Sequence, residues 1–227
     1  MPSRDVQDAR RQLIRITPTP AYRNAAEDLS RELPKKRTYW ERRHGLTKMA
    51  EYITASLREL DGGTRPFGFD PPLDILEVGP GVGMWMEYVR ELGHEVEGID
   101  APPANARMQI FEEMTTEAGL SVAYIGFESV MDVIHDGGDI GHRSGCYHMI
   151  HFRGSFDAVV GKFTDEVREM RTRRIAEACV AMLKPGGLVH VCHNRNGMME
   201  SVIETLRGFK GLKFEQLDDQ TTRHWKA

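Results

Sequence analysis

Apolar positions along this chain alternate between two periods. From Leu73 to Val78 they form a nearly unbroken run, as in a strand buried on both faces. Glycines then stand at 79, 81 and 83, after which Val82, Trp85, Met86, Val89 and Leu92 recur every three or four residues, the stripe of an amphipathic helix. A strand, a tight turn and a helix in that order form the opening unit of an α/β nucleotide-binding sheet. The alternation continues with a strand over 95–99, a helix over about 104–118 broken by Gly119, and a third strand over 120–127. Residues 156–161, Phe-Asp-Ala-Val-Val-Gly, read as a short buried fourth strand. A helix over 165–183 carries Val167, Met170, Ile175, Ala178 and Met182 inward and stops at Lys184-Pro185-Gly186-Gly187. A fifth strand at 188–192, a helix at 197–206 and strands at 213–217 and 222–225 complete the pattern.

Ahead of this series the sequence predicts helices over 4–16, 22–33 and 38–60. They are separated by Thr17-Pro18-Thr19-Pro20 and Pro34, and Asp61-Gly62-Gly63 closes the last of them. The apolar stripe Leu46, Met49, Ile53, Leu57 and Leu60 needs a surface to cover. Residues 1–70 therefore read as a helical cap on a domain formed by 71–227. Between the third and fourth predicted strands, residues 130–154 hold His135, His142, Cys146, His148 and His151 among several glycines. Imidazole and thiolate are good zinc ligands, but the spacing matches no metal motif, and the segment reads as an inserted lid facing substrate.

Composition narrows the function. The 227 residues carry 30 Lys and Arg against 34 Asp and Glu, a net charge of −4, with 40% hydrophobic residues. That is enough for one sizeable core and gives no overall preference for nucleic acid. Residues 1–48 carry 12 basic against 6 acidic side chains, read as solvated helix faces. Three scattered cysteines (Cys146, Cys179, Cys192) suit a reducing compartment, and neither an apolar leader nor a membrane-length stretch is found. The expectation is a cytoplasmic protein.

The chemistry lies in the order Glu77-x-Gly79-x-Gly81-x-Gly83. A dinucleotide fingerprint spaces its glycines G-x-G-x-x-G to cradle a pyrophosphate. Here a carboxylate at the strand end would repel that group and suits an ammonium or sulfonium instead. At these residues the chain resembles the first motif of class I S-adenosylmethionine-dependent methyltransferases. Asp100 at the end of the second strand, Phe156-Asp157, and Leu183-Lys184-Pro185-Gly186-Gly187 extend the resemblance over about residues 70–227. It implies a Rossmann-like, mostly parallel seven-stranded sheet with helices on both faces, and S-adenosyl-L-methionine as cofactor. Glu77, Gly79, Gly81 and Gly83 would cradle it, Asp100 would hold the ribose hydroxyls, and Glu128 or Ser129 would meet the adenine amino group. Lys162 lies at the outlet of the predicted fourth strand, facing the cofactor's reactive end.

The implied reaction is in-line transfer of a methyl group to an oxygen or nitrogen. An oxygen acceptor needs a base, and the expected ones are His193, Asp165 or Glu166, and a lid histidine, His148 or His151. Neither the D/N-P-P-Y/F signature of amino-directed nucleic-acid methyltransferases nor a Pro-Cys pair is present, which favours a small-molecule acceptor. Two alternatives stand beside this reading: a non-catalytic S-adenosylmethionine-binding or scaffolding protein, and a nicotinamide-dependent oxidoreductase.

Overall fold

The computed structural model describes residues 72–81, 83–91, 93–104, 106–161, 163–192, 200–216 and 221–227; the expected cap over 1–70 lies outside the described residues. Its strands are β1 (Asp74–Val78), β2 (Glu95–Ile99), β3 (Ser121–Ala123), β4 (Tyr147–Arg153), β5 (Leu183–Cys192), β6 (Leu212–Gln216) and β7 (Thr221–Lys226). They form one sheet in the order β3-β2-β1-β4-β5-β7-β6. β1 to β5 run parallel, and the closing pair β6 and β7 is antiparallel, as expected from the sequence. The helices are α1 (Met84–Glu91), α2 (Ala106–Glu117), α3 (Phe127–His135), α4 (Phe156–Val160), α5 (Asp165–Met182) and α6 (Glu200–Gly208), with a 3-10 turn at Gly141–Arg143.

The sheet's direction of growth reverses between β1 and β4. Chain crossovers leave to opposite sides there, opening a crevice beyond the carboxyl ends of those two strands. One face of the sheet, with Leu76, Val78, Ile150, Phe152, Val189 and Val191, packs on Phe127, Val130 and Met131 of α3 and Ile175, Ala178 and Met182 of α5. Side chains buried this completely contribute about 1.5–3 kcal/mol each. This core fixes the strand ends from which the site is built. The opposite face carries Ile75, Glu77, Met149, His151, Leu188 and His190, all buried, together with Trp85, Met86 and Val89 of α1.

Three expectations need correction. The fourth strand is Tyr147–Arg153, and Phe156–Val160 is a helix. Phe156, Val159 and Val160 are buried at i, i+3 and i+4, a helical spacing, and left-handed Gly154 and Gly161 bracket the segment. The seven-residue run before it can span the sheet between β1 and β5, and its Met149, Ile150, His151 and Phe152 are fully buried. The stretch 130–154 is consequently no inserted lid: most of α3 and the central strand occupy it. The third strand is also shorter than expected, because the chain enters α3 at Phe127.

At the end of α5 the chain passes straight into β5. Leu183 pairs with Tyr147, and the next pairing joins Leu188 to Met149, so Lys184 to Gly187 bulge out of the ladder. Gly186 takes φ +73° there. Pro185 has no N–H to give the ladder, which is why a bulge and not regular pairing accommodates it.

Candidate functional site

The glycine-rich turn sits in the crevice at the β1/β4 switch point. Its backbone is pinned from three sides. Gly79 N–H donates to the Ile99 carbonyl at 2.8 Å, and Gly83 N–H donates to the Pro80 carbonyl at 3.0 Å. Ser155, just past β4, donates its hydroxyl to the Val78 carbonyl. Gly79 has φ +72°, and a Cβ added there would lie 2.6 Å from the Cβ of Ser155, so this glycine is required by close approach. Gly81 differs: its φ is +58°, but a Cβ there would meet no atom of the described residues within 4 Å. Among the described residues, the backbone at Gly81 is thus left open to approach.

Asp100 ties the end of β2 to this turn. Its carboxylate accepts from Gly81 N–H at 3.1 Å and from Ala101 N–H at 2.8 Å. Burial raises its pKa, and the two N–H donors oppose that rise. The expected ribose-binding carboxylate and the glycine turn therefore meet through a direct hydrogen bond.

Glu77 has no exposed surface, and neither of its carboxylate oxygens is hydrogen-bonded among the described residues. Burial is the main cause pushing its pKa up to about 7; Arg153 opposes the rise and Asp100 adds to it. A buried carboxyl without a donor is costly, and a cation at its side would relieve that cost. With open backbone at Gly81, these residues fit a ligand bearing an ammonium or sulfonium. A diphosphate at the same place would meet an uncompensated carboxylate.

Behind Glu77 a row of polar residues crosses the sheet in register. Glu77 pairs with Gly98 on one side and His151 on the other, His151 with His190, and His190 with Arg223. The His151 ring stacks on Trp85 at 4.3 Å between centroids and on His190 at 5.2 Å. The Nδ1 atoms of the two imidazoles are 3.1 Å apart.

The other expected site residues divide by position. Glu128 opens α3 and pairs with Arg171 at 3.3 Å, with exposed Ser129 beside it, so both follow the carboxyl end of β3 as an adenine contact requires. Asp165 opens α5, largely exposed, in an ion pair with Arg168, and accepts from the Ser201 hydroxyl at 3.5 Å. Lys162 and His193 lie outside the described residues. His148 is at the wrong end for a catalytic role. Its Nδ1 accepts from the N–H of Asp74, the first residue of β1, at 2.9 Å, and Lys184 stands 3.3 Å from its Nε2. That places it at the amino ends of the parallel strands, about 13 Å along β1 from the glycine turn. Burial and the Lys184 charge lower its pKa, against the pull of Asp74. His151, expected on a lid, is buried in the central strand. No group of metal-ligating side chains is found among the described residues.

Sequence reasoning missed Arg153, Ser155 and His190. The available signal was the aromatic and β-branched run Tyr147 to Arg153 ending in Gly154-Ser155, a strand followed by a turn.

A family model described as a methyltransferase domain matches residues 39–208, a span that begins inside the expected cap. No curated protein matches the sequence. Among solved structures, the N-methyltransferase NodS from Bradyrhizobium japonicum aligns at 16% identity over 78% of this chain and 94% of its own, with a TM-score of 0.51. Monomeric WbdD aligns at 11% identity over 78% of this chain and 41% of its own, with a TM-score of 0.52. A chain from Galdieria sulphuraria aligns at 16% identity over 77% of this chain, with a TM-score of 0.46; the present chain spans 63% of its length. At identities this low, the likeness to NodS and WbdD shows a shared fold alone.

Proposed function

Given that the chain belongs to the class I S-adenosylmethionine-dependent methyltransferases, we propose that it transfers a methyl group to an oxygen or nitrogen of a small-molecule acceptor. The observation that carries this reading is the buried carboxylate of Glu77, without a partner among the described residues, beside a Gly81 backbone that those residues leave open. When bound, the cofactor supplies an electrophilic methyl carbon on a cationic sulfur. The protein's work is to bind, align and exclude water.

In this reading Glu77 faces the cofactor's cationic end, and Gly79, Gly81 and Gly83 let the backbone approach it. Asp100 offers its carboxylate to the ribose hydroxyls while holding Gly81. Glu128 and Ser129 border the adenine, and Lys162 lies toward the reactive end. Acceptor deprotonation is assigned to His193, which follows directly on the last residue of β5, with Asp165 on the same rim. The small-molecule reading is supported by the acidic net charge and by the missing nucleic-acid signatures. Three free cysteines favour the reducing cytoplasm, and no described helix is long and apolar enough to cross a membrane.

Calorimetry with S-adenosylhomocysteine and with NADH tests the cofactor, with binding expected only for the first. Labelled methyl from S-adenosylmethionine, incubated with the protein and a metabolite extract, should appear in a low-molecular-mass product. Label found only in macromolecules would refute the small-molecule acceptor. His193→Ala should abolish transfer while leaving the affinity for S-adenosylhomocysteine unchanged.

A further inference from the structure

S-adenosylmethionine and S-adenosylhomocysteine both end in an α-amino acid, whose ammonium and carboxylate sit on one carbon. If Glu77 takes the ammonium, which rests on the proposed cofactor site, the carboxylate must lie close by. It would stand near two acids there, Glu77 itself and Asp100, whose charges already act on one another. Like charges repel, so a carboxylate bound at this place needs a cation on the same side of the sheet.

Arg153 is placed to supply that cation. It is the last residue of β4, the strand beside β1 at the switch point, and it pairs in register with Cys192 at the end of β5. Successive residues of β4 alternate between faces: Ile150 and Phe152 enter the core against α3 and α5, and His151 lies in the row with Glu77. Two residues beyond His151, Arg153 comes to the Glu77 face at the carboxyl end, where the crevice opens. The loop after it fixes this strand end. Gly154 N–H donates to the Cys192 carbonyl at 2.7 Å, and the Ser155 hydroxyl donates to the Val78 carbonyl.

Burial dominates the pKa values of Glu77 and His151, raising the first and lowering the second, and the Arg153 charge pulls both down. The guanidinium acts on Glu77 without hydrogen-bonding to it, since neither Glu77 oxygen has a partner among the described residues. Cation and carboxyl thus stand apart at the crevice, near enough to feel each other, and a zwitterion fits such a pair. Arg223, in register with His190 in the same row, is committed to Glu215 and lies over Trp225.

We propose that Arg153 binds the α-carboxylate of the cofactor while Glu77 takes its α-ammonium, so that the two side chains together select a free α-amino acid. A guanidinium has five N–H donors, enough to keep its place in the fold and still present a fork to a carboxylate.

Calorimetry with three ligands separates the two roles: S-adenosylhomocysteine, its decarboxylated form, which keeps the amine, and its deaminated form, which keeps the carboxylate. The wild-type protein should hold S-adenosylhomocysteine about 10- to 100-fold more tightly than the decarboxylated form, as a charge-assisted hydrogen bond warrants. Arg153→Ala should weaken S-adenosylhomocysteine binding by about that factor without weakening the decarboxylated form, and so erase the preference. Arg153→Lys, which keeps the charge and loses the fork, should retain part of it. Glu77→Gln should instead erase the preference for S-adenosylhomocysteine over the deaminated form.

Equal affinity of the wild type for S-adenosylhomocysteine and its decarboxylated form overturns the proposal without any variant. So does a parallel loss for both ligands in Arg153→Ala, the result expected of an arginine that only steadies Glu77 and the fold. Circular dichroism shows whether that variant is folded; where it is not, the lysine variant and the wild-type comparison decide. Absence of any S-adenosylhomocysteine binding by the wild type sinks the cofactor reading itself, an outcome distinct from the other two.

Discussion

Replacing Glu77 with glutamine should make the ligand-free protein more stable at alkaline pH. The carboxyl is fully buried without a hydrogen-bond donor among the described residues, and burial pushes its pKa from the ordinary 4.5 up to about 7. The folded chain therefore holds a proton that the unfolded chain releases between about pH 4.5 and 7. Through that window the unfolded state binds fewer protons, so the wild type loses stability as pH rises. A difference of about 2.5 pH units amounts to about 3 kcal/mol by pH 8, at about 1.4 kcal/mol per unit. For a domain of this size that is a shift of about 6–12 °C in Tm. The glutamine amide is also buried, so the informative quantity is the change with pH and not the offset. Urea unfolding of both proteins without cofactor, from pH 5 to pH 8, gives the gap directly. The wild type should fall relative to Glu77→Gln by about 2.5 kcal/mol across the range, while other titrating groups cancel in the difference. Parallel stability curves would show that Glu77 is ionised or solvated in the ligand-free protein, and would refute the reasoning.

Gly79→Ala combines a left-handed backbone with a Cβ 2.6 Å from Ser155 and should cost about 2–4 kcal/mol in urea unfolding. Gly81→Ala meets open space and should cost only about 1–2 kcal/mol in stability, yet should weaken S-adenosylhomocysteine binding in calorimetry. Asp100→Ala removes an acceptor for Gly81 N–H as well as the ribose contact, so cofactor affinity should fall by about 1–3 kcal/mol; an unchanged Kd would remove the assignment. His148→Ala should leave kcat for methyl transfer unchanged and cost about 1 kcal/mol of stability, from the orphaned Asp74 N–H. A tenfold loss of kcat would place His148 back in the catalytic machinery.

Much of this molecule was legible in the order of its residues. The glycine turn, the strand ending at Asp100, the helix at 165–182 and the closing hairpin each follow from local periodicity and turn chemistry, which need only near neighbours in the chain. The preference for a cation over a diphosphate was readable from Glu77 alone, because charge acts wherever the turn is placed. Tertiary structure decided what depends on residues far apart. Phe156 to Val160 is apolar enough for a strand, but the slot between β1 and β5 is filled by Tyr147 to Arg153, and the displaced segment takes the helix its i, i+3, i+4 spacing allows. His148 and His151, three residues apart, separate to the amino ends of the strands and to the buried face behind Glu77. That separation, like the meeting of His151 with His190 from 39 residues away, follows from strand register, and register is set only when the strands pair.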